Sequence, residues 1–314
     1  MKILITGGCG FIASNFINYF FYRYPESKII NIDAMYYCSN EENVLPEIRE
    51  SKRYKLFKGN LCSFDLVNFI INDYEIEYVI HFAAQSHVQN SFTESLQYNK
   101  DNILATHTLL EVCRNYGKIK KFIHVSTDEV YGETLSEDPM TESSVLCPTN
   151  PYAATKAGAE LIAQSYYKSF NMPIIITRGN NVYGPNQYPE KVIPLFIKQL
   201  KENKKVTIQG NGSHLRSFLH VLDVCEAFEL ILMNGTIGEI YNIGNDKEYT
   251  VMEVAKMLIE SIQGTTDYDS WITYIADRPF NDKRYYISSD KVKNLGWEIK
   301  VDFEEGLAKL VNDY

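Results

Sequence analysis

The chain has 314 residues, 45% of them hydrophobic and 23% charged, and a formal net charge of −9. That length suits two lobes rather than one compact core, and the acidic balance without a basic stripe argues against nucleic acid as a partner. The six cysteines (Cys9, Cys38, Cys62, Cys113, Cys147, Cys225) show no C-x-x-C spacing, so they read as reduced thiols of a cytoplasmic protein rather than a disulfide framework or a zinc site.

Lys2 to Thr6 is a short apolar strand, Gly7 to Gly10 a turn, and Phe11 to Tyr22 has helical apolar spacing. Lys28 to Ile32 is a second strand ending in Asp33, which makes a βαβ unit at the start of the chain. No basic stretch followed by an apolar run marks a signal peptide, and the patch Phe16 to Tyr22 is too short to span a membrane. Tyr54 to Lys58 and Tyr78 to Phe82 continue the strands, with a helix over Phe64 to Asn72 between them. Asn99 to Tyr116 reads as one long helix, and Lys121 to Val125 as a strand that runs into Ser126-Thr127-Asp128-Glu129-Val130-Tyr131-Gly132. Asn150 can cap the next helix with Pro151 at its first position, and that helix extends to about Phe170. Pro173 to Arg178 is a sixth strand. Strands alternating with helices predict an α/β fold with a doubly wound parallel sheet. From Gly179 onward glycine, proline and asparagine become frequent and elements shorten. We therefore expect a dinucleotide-binding domain over 1–178, with segments around 215–240 returning to it, and a second lobe over 179–314.

Gly8-Cys9-Gly10-Phe11-Ile12-Ala13 fits G-x-G-x-x-A, and Gly7 with Gly10 gives a second reading, G-x-x-G-x-x-A. Glycines between a strand and a helix let backbone approach a pyrophosphate, whose charge suits the helix N-terminus. The competing reading is a purely structural glycine turn. Asp33 at the next strand end suits the adenosine ribose hydroxyls and repels a 2′-phosphate, which favours NAD over NADP. Tyr152 and Lys156 lie four apart, hence on one helix face. A lysine charge there favours the phenolate of a tyrosine that otherwise ionises near pH ~10. Asp128 and Glu129 stand together where a strand ends, a position suited to paired acid–base chemistry. Each of these features has a plain alternative: a solvated helix face for the first pair, an exposed acidic loop for the second.

As a set, in this order, Thr6 to Ile12, His81-Phe82-Ala83-Ala84-Gln85-Ser86-His87-Val88, Ser126 to Gly132, Tyr152 to Lys156, Asn180-Asn181-Val182-Tyr183-Gly184-Pro185 and Asp277-Arg278-Pro279 resemble the extended short-chain dehydrogenase/reductase family. Within that family they resemble the nucleotide-sugar 4,6-dehydratases, along nearly the whole chain. The resemblance implies a Rossmann-type sheet with a smaller mixed α/β substrate lobe, an NAD cofactor and a homodimer built through the helices Asn99 to Tyr116 and Asn150 to Phe170. It implies that Tyr152, with Lys156, takes the C4 hydroxyl proton, that Ser126 or Thr127 orients that hydroxyl, that Glu129 removes the C5 proton and that Asp128 protonates the departing C6 hydroxyl.

For the cofactor the resemblance implies contacts from Gly7, Gly10, Phe11, Ile12, Asp33, Asn60, Leu61, Phe82, Ala83, Ala84, Ser126, Tyr152, Lys156 and Asn181. Asn60 stands where the family usually has aspartate. For the nucleotide sugar it implies Ser86, Thr127, Asn180, Lys191, Val192, Arg216, Asn242 and Arg278, the two arginines on the diphosphate. Asp128-Glu129 resembles the glucose-nucleotide dehydratases rather than the 4-epimerases, which typically carry small residues there. Arg216-Ser217-Phe218-Leu219 and Arg278-Pro279-Phe280-Asn281-Asp282-Lys283-Arg284-Tyr285 look closer to the dehydratase portion of plant UDP-rhamnose synthases than to bacterial dTDP-glucose dehydratases. The expectation is UDP-glucose first and dTDP-glucose second, in rhamnose-type deoxysugar synthesis. A 4-epimerase and a non-catalytic NAD-binding protein are the rival readings.

Overall fold

The computed structural model describes residues 1–314. Strand β1 (Lys2–Thr6), helix α1 (Phe11–Arg23), β2 (Lys28–Asp33), the single turn α2 (Pro46–Arg49), β3 (Tyr54–Lys58), α3 (Phe64–Asp73) and β4 (Tyr78–His81) come first. The short turns α4 (Val88–Ser91) and α5 (Ser95–Tyr98) lead into α6 (Ala105–Tyr116), followed by β5 (Lys121–Thr127), α7 (Pro151–Phe170) and β6 (Ile174–Gly179). The rest comprises β7 (Asn181–Tyr183), α8 (Val192–Lys201), β8 (Val206–Gln209), β9 (Leu215–Arg216), β10 (Phe218–His220), α9 (Val221–Asn234), β11 (Ile240–Ile243), β12 (Tyr249–Thr250), α10 (Val251–Gln263), β13 (Ile272–Ile275), α11 (Asp290–Lys293) and α12 (Phe303–Asp313). No helix is long and apolar enough to cross a membrane.

Seven strands form one sheet in the order β11-β6-β5-β4-β1-β2-β3. Every neighbouring pair is parallel, with Thr6 registered between Ile32 and His81. A parallel strand covered on both faces needs apolar residues on both, which is why Ile3, Leu4 and Ile5 are consecutive and all buried. Their alternation sends Ile3 and Ile5 to a core with α1 and α9, and Leu4 to a core with α3, α6 and α7. The chain reverses its direction of winding between β1 and β4, the switch point where such sheets leave a crevice at their carboxyl ends. A third core, from α8, α10 and α12 with β8 and β13, belongs to the later part of the chain. Helix α9 and strand β11 lie instead on the main sheet.

Three polar connections fix the floor of that crevice. His81 is fully buried and neutral, its pKa pushed down to about 3 by burial. Its Nδ1 meets Thr6 Oγ1 at 2.8 Å and its Nε2 meets Thr106 Oγ1 at 2.8 Å. Thr106 donates to the Asn102 carbonyl and Thr6 accepts from Ala83 N–H, so the ring proton sits on Nε2. The helix expected over Asn99 to Tyr116 opens as a π-helical stretch, Asn99–Leu104. Wider turns of this kind occur where a helix accommodates a specific contact. Asn102 accepts from Gln85 N–H and donates to Thr155 on α7. Finally, Arg178 on β6 is buried in an ion pair with Glu160 on α7 and donates to Tyr131 Oη at 2.6 Å. That pair ties the turn after β5 to the helix that carries Tyr152.

Candidate active site

The carboxyl ends of β1, β4, β5 and β6 open into a cleft of about 330 Å³. Gly7, Gly10, Phe11, Ile12, Asp33, Asn60, Leu61, Phe82, Ala83, Ala84 and Ser86 line it, as do Ser126, Thr127, Asp128, Glu129, Tyr152, Lys156, Asn180, Asn181 and Lys191.

The dinucleotide half fits its expected ligand. Gly7 has φ +71°, and a Cβ there would lie 2.8 Å from the Ala83 Cα. A Cβ on Gly8 would lie 2.3 Å from Asn31 Oδ1. Side chains are thus excluded where backbone must come close. No side chain caps the N-terminus of α1 at Gly10, which leaves its first N–H groups free for an anion. Asp33 is buried, with Oδ2 accepting from Cys9 N–H at 2.9 Å and Oδ1 from Met35 N–H at 2.8 Å. Ser126 Oγ and Thr177 Oγ1 are buried against the cleft with no hydrogen-bond partner in the protein. Orphaned hydroxyls of that kind call for a partner from elsewhere. Asn60 is turned aside: its Nδ2 donates to Tyr36 Oη at 2.9 Å and to Asp101 Oδ1 at 3.3 Å. Tyr36 and Asp101 are cleft residues that sequence reasoning missed, since nothing local marks them, and Gln85, within the His81 to Val88 run, lines the cleft with no role assigned to it beforehand.

At the other end, β5 carries Ser126 and Thr127 to the cleft floor and a single 3-10 turn (Asp128–Tyr131) presents the two carboxylates. Thr127 Oγ1 accepts from Glu129 N–H and caps that turn. Asp128 is buried, accepting from Asn180 Nδ2 at 2.6 Å and from Thr127 Oγ1 at 3.1 Å. Burial first, and the Glu129 charge second, push its pKa from 3.8 up to about 7. Glu129 is half-buried at the wall and is also raised by burial. It is opposed by a hydrogen bond from Asn150 and by the positive charges of Arg216, Lys191 and Arg278. Both carboxyls are thus raised by burial, but the Glu129 charge adds to the rise at Asp128, whereas a donated hydrogen bond and three positive charges oppose it at Glu129.

Tyr152 and Lys156 enter from the first turns of α7, with both side chains buried. Lys156 Nζ donates to the Val125 carbonyl at 2.6 Å, and burial lowers its pKa to about 8. Tyr152 is pushed above its ordinary value by burial and then by the charges of Glu129 and Asp128, while the Thr127 hydroxyl pulls the other way. Lys156 uses one of its three N–H donors on the strand carbonyl and lines the same cleft as Tyr152.

Two expected contacts are corrected. Asn242 is fully buried behind the site, accepting from Tyr131 Oη at 2.8 Å and donating to the Met140 carbonyl, so both ends of its amide are used within the protein. Val192 begins α8 and packs its side chain on the third core rather than on the cleft. Arg216 and Arg278 stand beyond the cleft wall. Arg216 lies over the Tyr285 ring and donates to the carbonyls of Leu215 and Asp282, and Arg278 donates to Gln209. Tyr285, missed from sequence, bonds Asp282 and lies 3.4 Å from Glu129 Oε2.

Comparison with known proteins agrees with this architecture. Residues 4–310 match the model of the family described as GDP-mannose 4,6 dehydratase. A trifunctional UDP-glucose 4,6-dehydratase/UDP-4-keto-6-deoxy-D-glucose 3,5-epimerase/UDP-4-keto-L-rhamnose-reductase of Arabidopsis thaliana is 50% identical over 100% of this chain and 47% of its own length. The chain thus spans about half of that relative. The dTDP-D-glucose 4,6-dehydratase of Dictyostelium discoideum is 46% identical over 98% of this chain and 80% of its own. The crystal structure of a dTDP-glucose 4,6-dehydratase from Streptomyces venezuelae with NAD bound superposes with a TM-score of 0.94 at 35% identity, covering 99% of this chain and 96% of that one. A match over residues 4–310, together with a superposition covering 99% of the chain, places the chain in the GDP-mannose 4,6-dehydratase family of extended short-chain dehydrogenases/reductases.

Proposed function

We propose that this protein is an NAD-dependent 4,6-dehydratase of a glucose nucleotide, and that UDP-glucose is its preferred substrate. The observation that carries the reading is the pair Asp128–Glu129, two carboxyls with different partners that stand side by side within one cleft that also holds Tyr152 and Lys156. Tyr152, whose phenolate the positive charges of Lys156 and of a bound nicotinamide ring would favour, accepts the C4 hydroxyl proton, with Thr127 and Ser126 orienting that hydroxyl. NAD, held by the glycine loop and Asp33, would supply the hydride acceptor for C4 and the hydride donor for C6. The C4 ketone acidifies C5, Glu129 accepts the C5 proton, and Asp128 gives its proton to the C6 hydroxyl, which leaves as water. Glu129 returns its proton to C5 as C6 is reduced, and the proton taken up at Tyr152 makes good the one Asp128 gave, so the sugar loses one water with no net change in protein or cofactor. Gly7, Gly10, Phe11, Ile12 and Asp33 would hold the dinucleotide, and Lys191 in the cleft, with Arg216 and Arg278 beyond its wall, would supply positive charge toward the diphosphate.

The UDP preference is supported by the greater identity to the plant relative than to the Dictyostelium one. Uracil and thymine differ by one methyl group, which a pocket separates by only about 1–3 kcal/mol, so measurable use of dTDP-glucose is expected as well. Leu96, Leu104 and Leu161 are exposed on α5, the π-helical stretch and α7. This supports a homodimer through those helices, which Leu161→Asp should weaken in light scattering. The function is tested by incubating the protein with UDP-glucose and dTDP-glucose in parallel and weighing the sugar nucleotides by mass spectrometry. Loss of one water, faster with UDP-glucose, is the expected result; no mass change with either removes the reading.

A further inference from the structure

Asn150 is the N-cap residue of α7, and its Oδ1 accepts from Ala153 N–H at 2.9 Å. That role was legible in the sequence. The other end of the same amide does something the sequence does not show: its Nδ2 donates to Glu129 Oε2 at 3.0 Å. The residue is 6% exposed, so water competes weakly for either contact. The arrangement is mirrored at the neighbouring carboxylate, where the Asn180 amide donates to Asp128 Oδ2 at 2.6 Å and accepts from Asn245 N–H at 3.0 Å through its own Oδ1. Each carboxylate is thus held by an asparagine whose orientation is fixed by a backbone N–H on its other side. An asparagine so pinned can only present NH₂ to the carboxylate, never its carbonyl.

We propose that Asn150 is a positioning residue for the elimination step, using the backbone of the helix that carries Tyr152 to aim a fixed amide at Glu129 and hold it as the proton-accepting anion. The proposal rests on the dehydratase reading for its catalytic consequence but not for the contact itself. A hydrogen bond donated to a carboxylate favours the ionised form. Burial is the larger influence and raises the Glu129 pKa, while the Asn150 hydrogen bond comes next and, with Arg216, Lys191 and Arg278, opposes that rise. Asp128, Tyr152 and Tyr285 complete its surroundings: Glu129 raises the pKa of all three, so each disfavours a second negative charge there. Among the donors Asn150 alone is rigidly tied to α7. It therefore couples the position of the C5 base to that of Tyr152, the group that reacts at C4.

Asn150→Ser keeps an oxygen cap for α7 but has no amide to reach Glu129, and Asn150→Asp keeps the cap while setting a carboxylate against it. Both should melt close to the parent. Two readouts separate positioning from mere support. In a titration of carboxyl signals in ¹³C-glutamate-labelled protein, assigned with Glu129→Gln, Glu129 should titrate at higher pH in Asn150→Ser and higher still in Asn150→Asp. In turnover with UDP-glucose, both variants should slow on the order of tenfold or more, with the acid limb of the kcat profile moved to higher pH and NADH absorbance accumulating before water is lost. An unmoved Glu129 titration in both folded variants overturns the proposal, whatever the activity. A parent protein that removes no water while its Glu129 titration does move in the variants overturns the dehydratase reading and leaves the Asn150 contact standing.

Discussion

Replacing Asp128 by asparagine should stabilise the protein, and the gain should grow with pH. Asp128 is 4% exposed and its pKa rises on folding from 3.8 to about 7. A folded-state pKa above the unfolded value means the folded protein binds the proton more tightly. The stability contributed by this group is fully present below about pH 3.8 and is lost as pH rises through about 7. Integrating between those two values, the loss is roughly 1.7 kcal/mol at about pH 5 and roughly 4.3 kcal/mol at about pH 8. The asparagine variant carries no such titration. Its amide can keep both contacts, carbonyl toward the Asn180 NH₂ and NH₂ toward the Thr127 hydroxyl. The difference in unfolding free energy between variant and parent should therefore widen by about 2–3 kcal/mol from about pH 5 to about pH 8. Urea unfolding followed by fluorescence at both pH values, with equal NAD throughout because a ligand shifts apparent stability, measures this. Glu129→Gln removes the second cause of the shift, so in that background the widening should shrink. A gain that is the same at both pH values, or that falls as pH rises, refutes the argument that burial of this carboxyl sets its proton affinity.

Other outcomes follow from the same geometry. Tyr152→Phe should lower kcat by about 10²–10⁴-fold while leaving NAD binding by fluorescence quenching intact, because Lys156 and the glycine loop are untouched. Arg178→Met leaves Glu160 charged and buried beside Tyr131, and should cost about 3–5 kcal/mol in chemical denaturation; the double change with Glu160→Leu should recover much of it. Gly8→Ala brings a Cβ to 2.3 Å from Asn31 Oδ1. That change should displace the glycine loop and weaken NAD retention through gel filtration more than it lowers the melting temperature.

Much of the sheet was readable because a parallel strand buried on both faces announces itself locally. Ile29 to Ile32 and Ile174 to Ile176 need no distant partner to be recognised. The glycine loop was readable for a similar reason: strand, turn, helix and the following Asp33 all lie within one βαβ unit. What escaped was everything decided across the chain. Val192 and Asn242 were expected against the substrate, yet Val192 is claimed by a core formed with α10 and α12, and Asn242 by Tyr131 and Met140. The Asn99 to Tyr116 helix looked uniform, and only the contacts of Asn102 with Gln85 and Thr155 accompany its widened first turns.

The carboxylates show the same division most sharply. In the sequence Asp128 and Glu129 are two adjacent acids that only the family resemblance, not residue chemistry, tells apart. The structure distinguishes them by depth and by partners drawn from elsewhere: Asn180 and Asn245 for Asp128, Asn150 and the distant charges of Arg216, Lys191 and Arg278 for Glu129. An elimination needs a base at one carbon and an acid at the next, and the two must not exchange roles in the resting site. Residue type supplies two groups of similar intrinsic strength; only burial, which favours the neutral form, and fixed donors or cations, which favour the anion, can separate them. On the proposed dehydration, the motif sets what chemistry is available, and the long-range packing of β6, α7 and the loop after β13 gives the two carboxyls their different partners.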